Sequence, residues 1–285
     1  MNTTPLPPIN PARELEKSIE FIRTLLKRTQ HEKIIIAVSG GIDSATSLNL
    51  LFKSIDVSQI LVAHFPYYET SEKMFYETIV PLAIPPENIL LSPIKEAVDV
   101  IAGSVEIIKE GSLGCARDDK EDGSSACRQA GSPQTQDDRI RLGNIMARVR
   151  MIYLFDLAKK HQALVCGTEN RSEYHLGYFT RFGDAASDFE IINHLYKTQV
   201  YQLAKYLQVP DSILNSPPSA NLWDGQTDEG EMGFSYEEAD PVLYLHFEQG
   251  KSSSEIESLG YKNAQNILDS AAKNAFKHEV PYVRG

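Results

Sequence analysis

Residues 34–45, IIIAVSGGIDSA, set an apolar run directly before a group of small residues and the start of a helical pattern. Gly40 and Gly41 let backbone N–H groups approach an anion, and Ser39 and Ser44 add hydroxyl donors. The helix that follows presents its positive end at the same place. The chemistry this suits is polyphosphate binding, although an ordinary strand-to-helix turn can use the same residue types. No GxxxxGK[ST] string occurs, and an acid, Asp43, takes the position of the usual lysine. A carboxylate beside phosphates implies a bound divalent cation.

SGGIDS resembles the pyrophosphate loop of the N-type ATP pyrophosphatases, which adenylate a substrate and release pyrophosphate. Residues 165–210, VCGTENRSEYHLGYFTRFGDAASDFEIINHLYKTQVYQLAKYLQVP, are similar to the NAD synthetases of that group. Three further blocks agree: LGNIMARVRMIYLF from Leu142, PSANLWDGQTDEGEMGFSYEEAD from Pro218, and Lys277 with His278. The resemblance implies an ammonia-dependent NAD synthetase. ATP would adenylate the nicotinate carboxylate of deamido-NAD, pyrophosphate would leave, and ammonia would displace AMP.

Adenylation needs the charge of ATP neutralised and its α-phosphorus exposed to a carboxylate nucleophile. By the resemblance, Asp43 and Glu173 hold Mg2+ on the β and γ phosphates, and Asp184 serves a second cation near the α-phosphate. Lys197 contacts the transferred phosphoryl group, with Ser219 as its companion hydroxyl and Thr168 hydrogen-bonding the nucleotide. Asn144, Arg148, Asp188, Lys277 and His278 fall to the deamido-NAD site, with Arg148 preferred over Asn144 because a dianionic pyrophosphate suits a guanidinium. Taken singly, each acid also reads as a solvated surface charge, Lys197 as a surface lysine, Ser219 as a helix cap and Arg148 as a salt-bridge partner. The chain departs from the family where Ile191 replaces the usual Pro and Ser216 the usual Lys, and in the segment after His64.

These groups need a scaffold that brings them together. Residues 34–38, 60–64, 88–91 and 163–167 read as short buried strands. Helical patterns lie between them, at 11–29 with Leu15, Ile19, Ile22, Leu25 and Leu26 on one face, at 71–82, and at 142–157. Such alternation predicts an α/β fold, a doubly wound parallel sheet with helices on both faces, and the resemblance narrows it to the adenine nucleotide alpha hydrolase-like type. Ligands then sit beyond the carboxyl ends of the strands, where Ser39, His64, Gly167 and Thr168 all fall. Ile145, Val149 and Ile152 form an apolar stripe beside Arg148, and the resemblance places this helix at a homodimer interface. The acidic, Gly-rich segment GQTDEGEM at 225–232 is expected to be mobile.

The 285 residues suffice for one domain spanning 1–285, with a mobile surface excursion near 111–137 where Gly, Ser and charge replace apolar periodicity. A net charge of −11 argues against a broad nucleic-acid surface and weakens a tRNA-modifying role. A divergent ligase acting on another acid, or a non-catalytic nucleotide-binding protein, are the remaining alternatives. No apolar run approaches the roughly 20 residues of a membrane span, and no signal peptide opens the chain, so a cytoplasmic location is expected. Cys115, Cys127 and Cys166 form no CxxC pair, which leaves no disulfide framework and little basis for zinc. The chain starts almost at the first helix and carries no glutaminase domain, so ammonia is expected free or from another protein.

Overall fold

A computed structural model describes residues 5–68, 72–106, 136–220, 222–223 and 225–279. The expected excursion near 111–137 lies outside the described residues, except that Gln136 and Asp137 open a helix. The chain runs α1 (Pro11–Thr29), β1 (Lys33–Ala37), α2 (Ile42–Ser54), β2 (Ile60–His64), α3 (Glu72–Ile79), β3 (Ile89–Leu91), α4 (Lys95–Glu106) and α5 (Gln136–His161). It continues through β4 (Ala163–Gly167), α6 (Arg171–Leu176), β5 (Phe189–Glu190), α7 (Lys197–Tyr206), α8 (Asp211–Leu214), α9 (Asp228–Met232), α10 (Tyr236–Leu243), α11 (Ser253–Ser258) and α12 (Ala264–Asn274).

All strand pairs are parallel, in the order β3-β2-β1-β4-β5. The central strand explains why. Ile34, Ile35 and Ile36 are each fully buried, as a strand covered on both faces requires. Successive side chains point to opposite faces, so Ile34 and Ile36 join the core under α1, α2 and α7, while Ile35 joins the core under α4 and α5. Ile35 pairs with Leu61 on one side and Val165 on the other, which sets the register of the three inner strands. The expected doubly wound sheet is the one observed. A third core, built on α6, α10 and α12 around Leu176, Val242, Leu243 and Ile267, lies beyond β4.

α1 starts where its sequence says it must, since Asn10 accepts from Arg13 N at 3.2 Å and Pro11 occupies the first turn. β5 was not expected, because two residues carry no periodic signal. Among the described residues no helix is long and apolar enough to cross a membrane.

The strand order reverses between β1, which starts one wing, and β4, which starts the other. A doubly wound sheet opens a crevice at that point, above the carboxyl ends of its strands.

Candidate active site

That crevice is a cleft of about 420 Å³, bounded by the Ser39–Ser44 turn, the ends of β2 and β4, one face of α5, the segments 178–186, 216–220 and 226–231, and Leu222 and Trp223. The turn owes its shape to glycine. Gly40 has φ +89°, and a Cβ there would lie 2.7 Å from Met74 Cβ, so a side chain is excluded both by conformation and by α3. Ser39 and Ser44 close the turn: Gly41 N donates to Ser39 Oγ at 3.2 Å, and Ser44 Oγ donates to the Gly41 carbonyl at 3.0 Å. Gly41 caps α2 without a side-chain bond, which leaves that helix end suited to an anion.

Beside the turn, three charged groups meet. Lys197 Nζ donates to Asp43 Oδ2 at 2.5 Å and to Glu173 Oε1 at 3.3 Å. Lys197 is the first residue of α7 and only 2% exposed. Burial alone would drive this ammonium toward neutrality, yet Asp43 and Glu173 outweigh it and hold the lysine above its ordinary range. Asn170 fixes both acids. Its Nδ2 donates to Asp43 Oδ1 at 3.0 Å, while its Oδ1 accepts from Glu173 N and caps α6.

The cluster also tests whether a divalent cation fits. Among the described residues no group of three or more His, Cys, Asp or Glu side chains is arranged to hold a metal. Two carboxylates, however, already converge on one cationic atom, and Mg2+ commonly uses one or two carboxylates with phosphate oxygens and water completing its shell. The donor set therefore fits an ion that arrives with phosphate.

Asp184 belongs to a different corner. It lines the cleft and is open to solvent, accepts from Thr180 N at 3.1 Å, and has Lys277 and Arg150 as charge partners. Thr168 and Ser219 both line the cleft.

Of the residues assigned to the dinucleotide, Asn144 faces the cleft and accepts from Thr180 Oγ1 at 2.8 Å. Lys277 also lines it, but its ammonium is spent on backbone: Nζ donates to the carbonyls of Gly177 at 2.6 Å and Phe179 at 2.9 Å. His278 packs against Tyr174, ring centroids 4.3 Å apart. Three residues, His278, Asp188 and Arg148, are not brought to the cleft wall. Asp188 Oδ2 accepts from Val165 N at 2.7 Å, tying the start of β5 to β4. Arg148 is exposed, and its Nε donates to the Arg181 carbonyl at 3.3 Å.

Arg150 takes the cleft side of α5, held by an Nε bond to the Phe65 carbonyl at 3.1 Å. The stripe Asn144, Ala147, Met151 and Leu154 lines the cleft at helical spacing, and Arg150 sits three residues after Ala147. Weighing that stripe against the two arginines would have favoured Arg150. The apolar stripe read at 145, 149 and 152 is split by the fold: Val149 is buried in the core under α4 and α5, whereas Ile152 is 56% exposed.

Two more groups were placed by the sequence reading, His64 at a strand end and Asp228 in the acidic segment, but were given no role. His64 Nδ1 donates to the Val38 carbonyl at 2.7 Å, its ring stacks on Phe75, and its Nε2 is buried without a partner at the cleft floor. Burial lowers its basicity, leaving a neutral acceptor. Asp228, expected in a mobile loop, is the first residue of the folded helix α9 and only 3% exposed. Tyr236 OH donates to Asp228 Oδ2 at 3.1 Å, and Tyr178 OH donates to Glu231 Oε2 at 2.7 Å. The loop is pinned by side chains from the segments 177–183 and 235–243, which no local pattern in GQTDEGEM announces.

The family model described as NAD synthase matches residues 14–281. An NH(3)-dependent NAD(+) synthetase of Fusobacterium nucleatum is 33% identical over 273 residues, covering 93% of this chain and 92% of that protein. Among solved structures, an NMN synthetase from Francisella tularensis aligns with TM-score 0.74 and 27% identity, over 97% of this chain and 99% of that one. An NH3-dependent NAD synthetase from Campylobacter jejuni aligns with TM-score 0.70 and 24% identity, over 97% and 100% of the two chains.

Proposed function

The chain belongs to the NAD synthase family, and from that premise we propose how its own residues divide the reaction. It is an ammonia-dependent NAD synthetase, an ATP-dependent ligase that forms an amide bond. One observation carries the assignment of residues: Asp43, Glu173 and Lys197 converge beside a glycine turn built for phosphate. A carboxylate oxygen of the nicotinate of deamido-NAD attacks the α-phosphorus of ATP, and the bond to pyrophosphate breaks. Ammonia then attacks the acyl carbon, the bond to AMP breaks, and the nitrogen sheds a proton.

The Ser39–Ser44 turn and the start of α2 bind the β and γ phosphates through backbone N–H groups. Lys197, already charged and held on α7, neutralises the phosphoryl group as it transfers. Asp43 and Glu173 would hold Mg2+, which when bound screens the phosphates and supplies positive charge toward the leaving pyrophosphate. A lone carboxylate at Asp184 suits a second such ion only if phosphate oxygens supply most of its ligands. Thr168 and Ser219 bond the nucleotide, and His64 Nε2 offers an acceptor on the same side.

Asn144 and Arg150, which line the cleft, face the dinucleotide, while Arg148 and His278 lie outside the lining residues. Lys277 and Asp188 act on that substrate by holding segment 177–188 in place, through the carbonyls of Gly177 and Phe179 and the N–H of Val165. Exposed Val100, Ile101 and Val105 on α4, with Ile152 on α5, which packs against it, support a homodimer through these helices. We place the reaction in the cytoplasm, where its nucleotide substrates are.

A second reading rests on the likeness to the NMN synthetase. The mononucleotide acid presents the same nicotinate carboxylate but lacks the adenylate half of the dinucleotide. Comparing kcat/KM for deamido-NAD and nicotinate mononucleotide at saturating ATP and ammonium separates the two: preference for the mononucleotide would replace the dinucleotide as substrate.

A further inference from the structure

Asp240 lies on α10, outside the cleft wall, and is fully buried. A buried carboxylate is costly unless its lone pairs are filled, and here they are filled by two helices that carry cleft residues. Oδ1 accepts from Ser172 Oγ at 2.5 Å. Oδ2 accepts from Thr198 N at 2.8 Å and from Thr198 Oγ1 at 2.7 Å. Ser172 Oγ in turn accepts from Lys197 N at 2.9 Å.

Tyr196, which precedes α7, provides no side-chain cap. The first two N–H groups of α7 are therefore satisfied by residues of other elements, Ser172 from α6 and Asp240 from α10, and the negative charge sits at the positive end of the helix. The neighbours of these contacts are the cleft residues. Ser172 precedes Glu173, and Thr198 follows Lys197. One carboxylate thus joins the backbones of α6 and α7 at the points from which Glu173 and Lys197 reach each other.

We propose that Asp240 is a positioning residue for the adenylation half-reaction, fixing the separation of Glu173 and Lys197 without touching substrate. This rests on the roles given above to those two residues. The ionised form is needed, because three donors converge on two oxygens. An asparagine would keep one acceptor for Thr198 and turn a donor toward Ser172 Oγ, which already accepts from Lys197 N.

The test compares the full-length wild type with Asp240→Asn, Thr198→Val and Ser252→Ala, measuring kcat, the KM values for ATP and deamido-NAD, and melting temperature. Ser252 caps α11, far from the cleft, and serves as a loss of helix capping alone. Asp240→Asn should lower kcat at least about tenfold and raise the KM for ATP, with the KM for deamido-NAD within about twofold of wild type. Thr198→Val, which keeps the backbone donor, should move the same two quantities less, and it decides the matter if Asp240→Asn does not fold. Ser252→Ala should lower the melting temperature and leave all three kinetic quantities unchanged. A folded Asp240→Asn or Thr198→Val with wild-type kcat and ATP dependence overturns the positioning role. A wild type that makes no AMP from ATP and deamido-NAD removes the underlying reaction instead, so the two failures are distinct.

Discussion

Lys197 Nζ donates to Asp43 Oδ2 across 2.5 Å, although 154 residues separate the two in the chain. The pair is nearly closed to solvent on the lysine side and has Glu173 as a third member. The lysine bridges the two carboxylates proposed above to hold the divalent cation.

Removing that lysine leaves two acids facing each other without a cation. Lys197→Met should therefore cost about 3 kcal/mol of stability as well as adenylation activity. Added magnesium should raise the melting temperature of the variant by more than that of the wild type, because the ion takes over the vacated position. Equal magnesium shifts in the two proteins would contradict this arrangement.

Neutralising the acids tests the same cluster from the other side. Asp43→Asn and Glu173→Gln should each lose at least roughly 10²-fold in magnesium-dependent AMP formation, the scale of a preorganised electrostatic contact. Near-wild-type AMP release from both would remove the metal assignment.

Glu169 gives a pH signature. Its Oε1 is buried without a partner, and burial, then Glu190, Glu173 and Asp184, push its carboxyl up to about 9. The folded state therefore holds a proton that the unfolded chain releases near pH 4.5. The stability this group lends is complete below about pH 4.5 and is lost as pH rises toward 9. Glu169→Gln, which cannot ionise, should gain melting temperature relative to wild type progressively across that interval. A difference that stays flat with pH would show that Glu169 is ionised in the fold.

The two faces of α5 make opposite demands. Val149 is 2% exposed and Ile152 56% exposed. Val149→Asp should unfold the chain, since it buries an unpaired charge. Ile152→Glu should leave folding and the monomer's spectrum intact and weaken self-association in sedimentation. An Ile152→Glu protein that associates as the wild type does would move the dimer face elsewhere.

The elements with sustained periodicity were legible in the sequence to the residue: α1 at Pro11–Thr29, β2 at Ile60–His64 and β4 at Ala163–Gly167. The glycine turn at 39–44 was legible too, because its residues are contiguous and glycine is required at 40 by geometry. What stayed hidden depends on distant partners. The pairing of Lys197 with Asp43, the pinning of α9 through Tyr178, and the clamp of Asp240 on α6 and α7 all rest on bonds between residues far apart in the chain. Arg148 was assigned to the dinucleotide and Arg150 given no role, since a charge near an apolar stripe does not tell which side of the helix meets the cleft. Among the described residues, Lys277 likewise could not be known from sequence to spend its ammonium on the carbonyls of Gly177 and Phe179.

In the reaction proposed above, this cleft activates a nicotinate carboxylate with ATP and passes it to ammonia. The most direct measurement follows AMP, pyrophosphate and NAD formed by the purified chain from ATP and deamido-NAD, with ammonium or with glutamine as nitrogen source. The three products should appear in equal amounts with ammonium, with no appreciable NAD from glutamine in an ammonia-free preparation. ATP turnover that is indifferent to deamido-NAD, or NAD formed as readily from glutamine, would contradict the account.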